Sequence, residues 1–462
     1  MRFAGLALLL AAACATGQQS RIGADFEHEG ERFRSSCLAF AGFGSIAGCG
    51  QVLFTDHPLH IAVGSLAPQN GFAAGPALVG HWTPNETWRL NWNADAVFST
   101  NGSWRAGGYL TAVLIRRRNI SITGGGTSSS GSSGLQTFEQ PTFHAYVQNT
   151  SLNKIAYFGL GQNTSRDARS YFGQSEAIVG GNVIWPLGTP LRVSLFGEAN
   201  GRFVDIRRST GQPSPSIEQL YNEATAPGLT RQPATAQFGE GVRIRPTFAG
   251  GHVRLNYSLT FQQFAASESR FSFRRLITDL GHEFPLYRAQ RINASRDFNG
   301  PDDCAADAQV PKCPSVSRNL EGSFGVRLMM TQSFVSSGNV VPFYFAPTIG
   351  GSDINGNPVL SSYSDYRFRD PNAIILRGSF EHSIYKWPLG VTFMVDEGKV
   401  TRRPGDLDFT HLAHSYAAGL TLRAGGFPVV YLLFAWGGRE GNHTIGRIDT
   451  SLLGGSARPS LY

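Results

Sequence analysis

The chain has 462 residues and a formal charge of +7, with 16% charged and 41% hydrophobic residues. So modest and dispersed a charge excludes a nucleic-acid-binding surface, which clusters Lys and Arg far more densely. After residue 15 no apolar run approaches the ~20 residues that a spanning helix needs, and 55 Gly and 32 Phe beside 4 Met point to an all-β chain rich in turns.

In chain order, Arg2, an apolar stretch over 3–13 and the small-x-small sequence Ala13-Cys14-Ala15 read as a secretion signal, residues 1–15. Cys14 as a lipid-bearing residue is the alternative, although Ala11 stands where a lipobox usually has Leu. Residues 16–56 do not alternate over any length. They are too short for an independent domain and are expected to form a periplasmic arm or a plug-like piece.

From residue 57 the dominant pattern is period-two alternation, one apolar and one polar face per strand. Trp88, Leu90, Trp92, Ala94, Ala96 and Phe98 oppose Arg89, Asn91, Asn93 and Asp95; Val242, Ile244, Pro246 and Phe248 oppose Arg243, Arg245 and Thr247; Val253, Leu255, Tyr257, Leu259 and Phe261 oppose Arg254, Asn256, Ser258 and Thr260. Further strands are expected at 105–116, 138–149, 153–160, 172–185, 190–200, 270–284, 318–330, 340–349, 373–386, 390–400, 414–424 and 427–437. Strands of about 10 residues with aromatic ends and polar inner faces suit an outer-membrane barrel with a wet lumen. At ~25 residues per strand and connection, residues 57–462 accommodate about 16 antiparallel transmembrane strands. The tract 124–134 and segments 206–234 and 296–317 read as long loops, expected on one rim with short turns on the other. Arg116-Arg117-Arg118, which closes a strand, reads either as a contact to anionic headgroups or as a solvated strand end. Cys37 with Cys49 and Cys304 with Cys313 are locally spaced pairs, read as loop disulfides of an exported chain. Metal ligation is the rival, but neither pair has a CxxC spacing or a close His.

The stretch beginning Gly350-Gly351-Ser352-Asp353 continues through Ser362-Tyr363 and Tyr366-Arg367-Phe368-Arg369-Asp370. Next come Leu376-Arg377-Gly378-Ser379-Phe380-Glu381-His382-Ser383-Ile384-Tyr385 and then Phe393-Met394-Val395-Asp396-Glu397-Gly398-Lys399-Val400. It resembles the BamA/TamA superfamily of surface-antigen barrels. The resemblance implies a long loop that folds back into the barrel, with a motif Arg held by acidic residues on neighbouring strands; Glu381 and Asp396 match those acidic positions. Alternation puts Glu381 on the face of Arg377 and Ser379, and Asp396 on that of Thr392, so both carboxylates are expected to face the lumen. The sequence departs from the motif at Leu360-Ser361-Ser362-Tyr363, where Leu-Arg-Gly-Tyr is expected. A buried carboxylate without a cation is costly, so Arg367 or Arg369 is expected to supply the partner, with a wet lumen as the alternative. The family's periplasmic POTRA modules do not fit into residues 16–56, which weighs against an insertase or secretion-partner role.

His57 with His60 and His411 with His414 lie three apart in turn or strand segments, a poor arrangement for a metal. Ser45 and Ser352 complete no nucleophile elbow. The expectation is a non-enzymatic bacterial outer-membrane barrel without cofactor or metal, acting as a pore or translocation channel with an inward-folded loop. The rivals are a non-conducting surface barrel and a barrel-embedded hydrolase. Expected partners are outer-membrane lipid, lipopolysaccharide and the barrel-assembly machinery, not nucleic acid, with the chain a monomer.

Overall fold

A computed structural model describes residues 59–115, 140–209, 212–287, 291–293, 315–317, 322–384, 389–424 and 427–448. The predicted signal peptide, segment 16–56, the run Arg116 to Arg118 and all five cysteines, with both expected disulfides, lie outside these residues.

The fold is all-β. One sheet carries sixteen strands: β1 (Leu59–Ser65), β2 (Phe72–Trp82), β3 (Trp88–Ser99), β4 (Trp104–Leu114), β5 (Thr142–Tyr157), β6 (Ser170–Pro186), β7 (Val193–Arg208), β8 (Thr235–Ile244), β9 (Val253–Ala266), β10 (Phe273–Tyr287), β11 (Gly322–Phe334), β12 (Asn372–Ser383), β13 (Leu389–Thr401), β14 (Ala413–Ala424), β15 (Phe427–Trp436) and β16 (His443–Ile448). Each pairs antiparallel with the next in chain order. The two-residue piece Thr247–Phe248 prolongs the β8–β9 ladder beyond Pro246, which has no N–H to give it. β1 and β16 approach one another, but no ladder joins them among the described residues.

Alternation sorts side chains as the sequence predicts. Large apolar residues such as Phe98, Leu110, Val147, Phe203, Phe238, Leu259, Phe324, Phe393 and Leu432 are exposed on the outer face, while Asp95, Gln148, Glu176, Arg202 and Gln262 are buried on the inner one. Neighbouring strands align their outer aromatics: Phe284 opposes Phe324, Phe324 opposes Phe380, and Phe380 opposes Phe393. Glycine is needed where strands close up. A Cβ on Gly419 of β14 would stand 2.0 Å from the Leu432 carbonyl oxygen of β15.

Three expectations are corrected. The strands expected at 138–149 and 153–160 are one strand, β5, whose register slips between Leu152 and Ile155. The displaced Lys154 is held by Asn70 in both directions, its carbonyl accepting from Nδ2 at 2.7 Å and its N–H donating to Oδ1 at 3.1 Å. Residues 340–349 form no barrel strand; they contain the 3-10 turn Phe343–Phe345 and the two-residue piece Thr348–Ile349. The long connections also do not share one rim. In an up-and-down meander they alternate: β7 and β8, and β11 and β12, are connected at the upper rim, with the β1–β2 turn, whereas Leu114 of β4 and Thr142 of β5, and Tyr287 of β10 and Gly322 of β11, end at the lower one.

Candidate functional site

The candidate feature is the segment 335–371, which leaves β11 at the upper rim and enters the concave side of the sheet before returning as β12. Its aromatic turn makes this possible. Phe343, Tyr344 and Phe345 are each at most 1% exposed. Phe343 packs 5.2 Å from both Tyr157 and Phe172, and Phe345 lies 5.5 Å from Phe264. Such contacts contribute about 0.5–1.5 kcal/mol per pair beyond area burial. The upper half of the inner face is therefore an apolar core rather than the expected wet lumen. Loops 158–169 and 209–234 complete the cap, with Phe343 N–H donating to the Pro227 carbonyl at 2.8 Å and the Tyr221 hydroxyl to that of Ala168 at 2.6 Å.

The rest of the segment is built on a short ladder between Thr348–Ile349 and Phe368–Arg369. Gly350 and Gly351 turn the chain with φ of +111° and +62°, and a side chain on either would strike Arg367 or Asp365. Leu360 and Tyr366 also take left-handed φ, +50° and +60°, costing of order 1 kcal/mol each that the surroundings must hold.

That hold is visible. Asp396, 2% exposed, accepts from Arg377 Nε at 2.7 Å and Nη2 at 2.9 Å, and its Oδ2 also accepts from the Leu360 N–H at 3.0 Å. Arg377 donates in turn to the Pro358 carbonyl. Arg377 and Asp396 are register partners on β12 and β13, so the pair is pre-formed by the hairpin and grips residues 358–360. The expected cation is thereby corrected: Asp396 is served by Arg377, and neither Arg367 nor Arg369 reaches it. Arg367 instead pairs with Glu440 and donates to Thr164 Oγ1 and O at 2.7 and 2.5 Å, tying the segment to loops 437–442 and 158–169. Arg369 donates to the Phe343 carbonyl at 2.8 Å among the rings of Tyr157, Phe172 and Phe343; burial there brings its guanidinium down to about 10. Tyr363 is buried edge-on to Phe368, centroids 5.1 Å apart. The Tyr366 hydroxyl, which burial holds well above the usual phenol range, donates to the Pro68 carbonyl at 2.9 Å. Asp365 and Asp370 are both pushed up to about 6, first by burial.

Below the segment remains a cavity of about 1190 Å³. Its walls come mainly from β8 to β12, including Arg243, Arg254, Glu283, Arg327 and Glu381, with Glu198 of β7, Met394 of β13 and Tyr431 of β15, and its floor is residues 346–349 and 353–359. Glu381 thus faces inward as expected, as does Asp396. The wall charges are partly paired: Arg327 holds Asp279 by two bonds of 2.7 and 2.5 Å, and Arg254 lies 3.4 Å from Glu283. Apart from the cavity lining, the Arg202–Glu176 pair between β7 and β6, 2.6 Å, is almost fully buried. Among the described residues no group of three His, Cys, Asp or Glu side chains lies close enough to hold a metal. His411 is exposed in a turn and His414 lies on β14.

No family model and no curated protein matches the sequence. Solved structures of similar shape include CdiB from Escherichia coli, with 12% identity, 86% of this chain and 61% of that chain covered, and a TM-score of 0.47. CdiB from Acinetobacter baumannii follows at 10%, covering 85% and 56%, with a TM-score of 0.45. BamA from Haemophilus ducreyi lacking POTRA domains 1–3 gives 11%, 85% and 68%, and 0.44. The chain thus spans little more than half to two thirds of their length. Likeness at this level is of shape alone, and no functional residue is carried over from it.

Proposed function

We propose that the protein is a non-enzymatic outer-membrane β-barrel of the BamA/TamA type, a pore whose passage is occluded by its own in-folded segment. The observation that carries this reading is the charged cavity of about 1190 Å³ on the concave side of the sheet, floored by the in-folded segment through Ala346 to Ile349 and Asp353 to Val359. The outer face supports the membrane setting. Phe324 and Phe334, 43% and 44% exposed, bracket β11, and ten strand residues at a transmembrane tilt cover about 25 Å, the height of an outer-membrane apolar belt. No helix among the described residues is long and apolar enough to cross a membrane, so a crossing would be made by strands. Lipid, lipopolysaccharide and the barrel-assembly machinery are the partners this reading implies, with the chain acting as a monomer.

The test is planar-bilayer recording of the full chain and of a variant lacking residues 353–370. Small or rare openings that become larger and discrete on deletion support an occluded pore. The same silent trace from both proteins, each correctly folded, would favour the non-conducting surface barrel, to which the sealed aromatic cap also lends itself. Screening on phospholipid and peptide substrates checks the hydrolase alternative.

A further inference from the structure

Two arginines hold the aromatic turn from opposite sides. Arg369 belongs to the segment itself, whereas Arg275 comes from the wall, on β10, and is fully buried. Arg275 lies against the stacked rings of Phe264 and Phe273, 5.2 and 5.1 Å from their centres. Its Nη2 donates to the Phe345 carbonyl at 2.6 Å and its Nε to Ser333 Oγ, its register partner on β11, at 3.4 Å. Ser333 Oγ donates onward to the Pro371 carbonyl at 2.7 Å, and its N–H donates to Asn372 Oδ1 at 2.7 Å. Phe345 is where the segment has just entered the concave side, and Pro371 is where it leaves.

We propose that Arg275, relayed by Ser333, is the latch of the in-folded segment, closing both of its legs onto one point of the β10–β11 wall. The proposal rests on the occluded-pore reading for its consequence but not for its geometry. None of these bonds belongs to a strand ladder; apart from the one that joins Arg275 to Ser333, they go to the segment's own carbonyls or to Asn372, which begins β12. A guanidinium is required because it serves two acceptors in fixed directions while its face packs on rings, which an ammonium cannot do. The burial of a full positive charge among aromatic rings, with the Phe345 carbonyl of the segment as an acceptor, makes the wall and the segment depend on one another. Once the segment leaves, Arg275 faces the cavity and regains water, so an open state is not penalised by an orphaned charge. Arg275 is thus a positioning residue, acting through the peptide groups it holds.

The test is limited trypsinolysis of the full chain in lipid, with cuts after Arg367 and Arg369 identified by mass spectrometry. Cleavage after the exposed Arg231, in the neighbouring loop, is the internal control for general loosening. Arg275→Gln is expected to speed the cuts after Arg367 and Arg369 by about tenfold or more, the scale of a lost buried charged hydrogen bond, with the Arg231 cut unchanged. Arg275→Lys is expected to fall between it and the natural chain. Wild-type cleavage rates in a correctly folded Arg275→Gln protein, judged by heat-modifiable gel mobility, would overturn the latch. If that variant does not fold, Ser333→Ala decides in the same way: faster local cleavage supports the relay and a wild-type rate overturns it. Bilayer currents recorded on the same proteins separate the two readings. Faster cleavage with no change in current leaves the latch standing and removes the pore, whereas unchanged cleavage removes the latch whatever the current does.

Discussion

Asp396 is the residue on which the in-folded segment turns, because its two oxygens serve both a strand arginine and the Leu360 N–H. Removing the cation leaves a buried carboxylate with only one backbone donor, so Arg377→Ala is expected to destabilise the folded protein by about 3 kcal/mol, read from urea unfolding in lipid. A loss below ~1 kcal/mol would mean that water compensates Asp396 freely. The inward placement of Glu381 and Asp396 was legible from alternation alone. The identity of the cation was not, since Arg377 meets Asp396 only through a cross-strand register set by the hairpin after Ser383, and no local pattern encodes that register. The segment's acids add a pH dependence. Asp365 and Asp370 have folded values of about 6 against 3.8 for a free carboxyl, chiefly through burial. A raised carboxyl favours the docked form as protons bind, so docking should strengthen as pH falls from about 8 through 6 and level off near 4. Trypsin cleavage after Arg367 should accordingly be slower at pH 5.5 than at pH 8, after correction for the enzyme's own pH profile. Ser352 and Gln69, which hydrogen-bond Asp365, and Arg402, which faces Asp370, oppose the upward shifts without cancelling them.

At the level of the strand, the alternating segments around 88–98, 242–248 and 253–261 were read from sequence with their faces correct, because a half-buried strand has a period that nothing else imitates over that length. Residues 340–349 misled the same reasoning. Val340, Val341, Phe343 and Phe345 have strand-like composition, yet three consecutive rings are buried on all sides, which a two-faced strand does not allow and a tight 3-10 turn inside a core does. The slip in β5 was also invisible, since one extra residue in a ladder, Asn153 and Lys154 against the single Gly173, leaves the composition unchanged. Close strand approach yields a sharper expectation. In Gly419→Ala the new methyl would meet backbone, not a flexible side chain, so β14 and β15 must part locally. A loss of about 1–3 kcal/mol in unfolding free energy is expected, whereas Gly378→Ala, where a Cβ meets nothing within 4 Å, serves as the near-neutral comparison.

For the whole molecule, strand number and class followed from counting alternating segments against chain length, but the in-turned segment depended on a motif resemblance. Its anchoring involves pairs of residues far apart in sequence, and that is why it could not be read. Tyr366 bonds Pro68, 298 positions away, and Arg367 bonds Thr164, 203 positions away, and Glu440. Two adjacent residues thus take partners from the first hairpin, the β5–β6 hairpin and the last one. Contacts of such separation form late, after the intervening loops have been closed. The segment is therefore fully seated only when the first, the β5–β6 and the last hairpins are all in place, which makes its seating a report of finished assembly: a chain stalled before β15 and β16 would leave Arg367 without Glu440 and hold the segment by its other anchors alone.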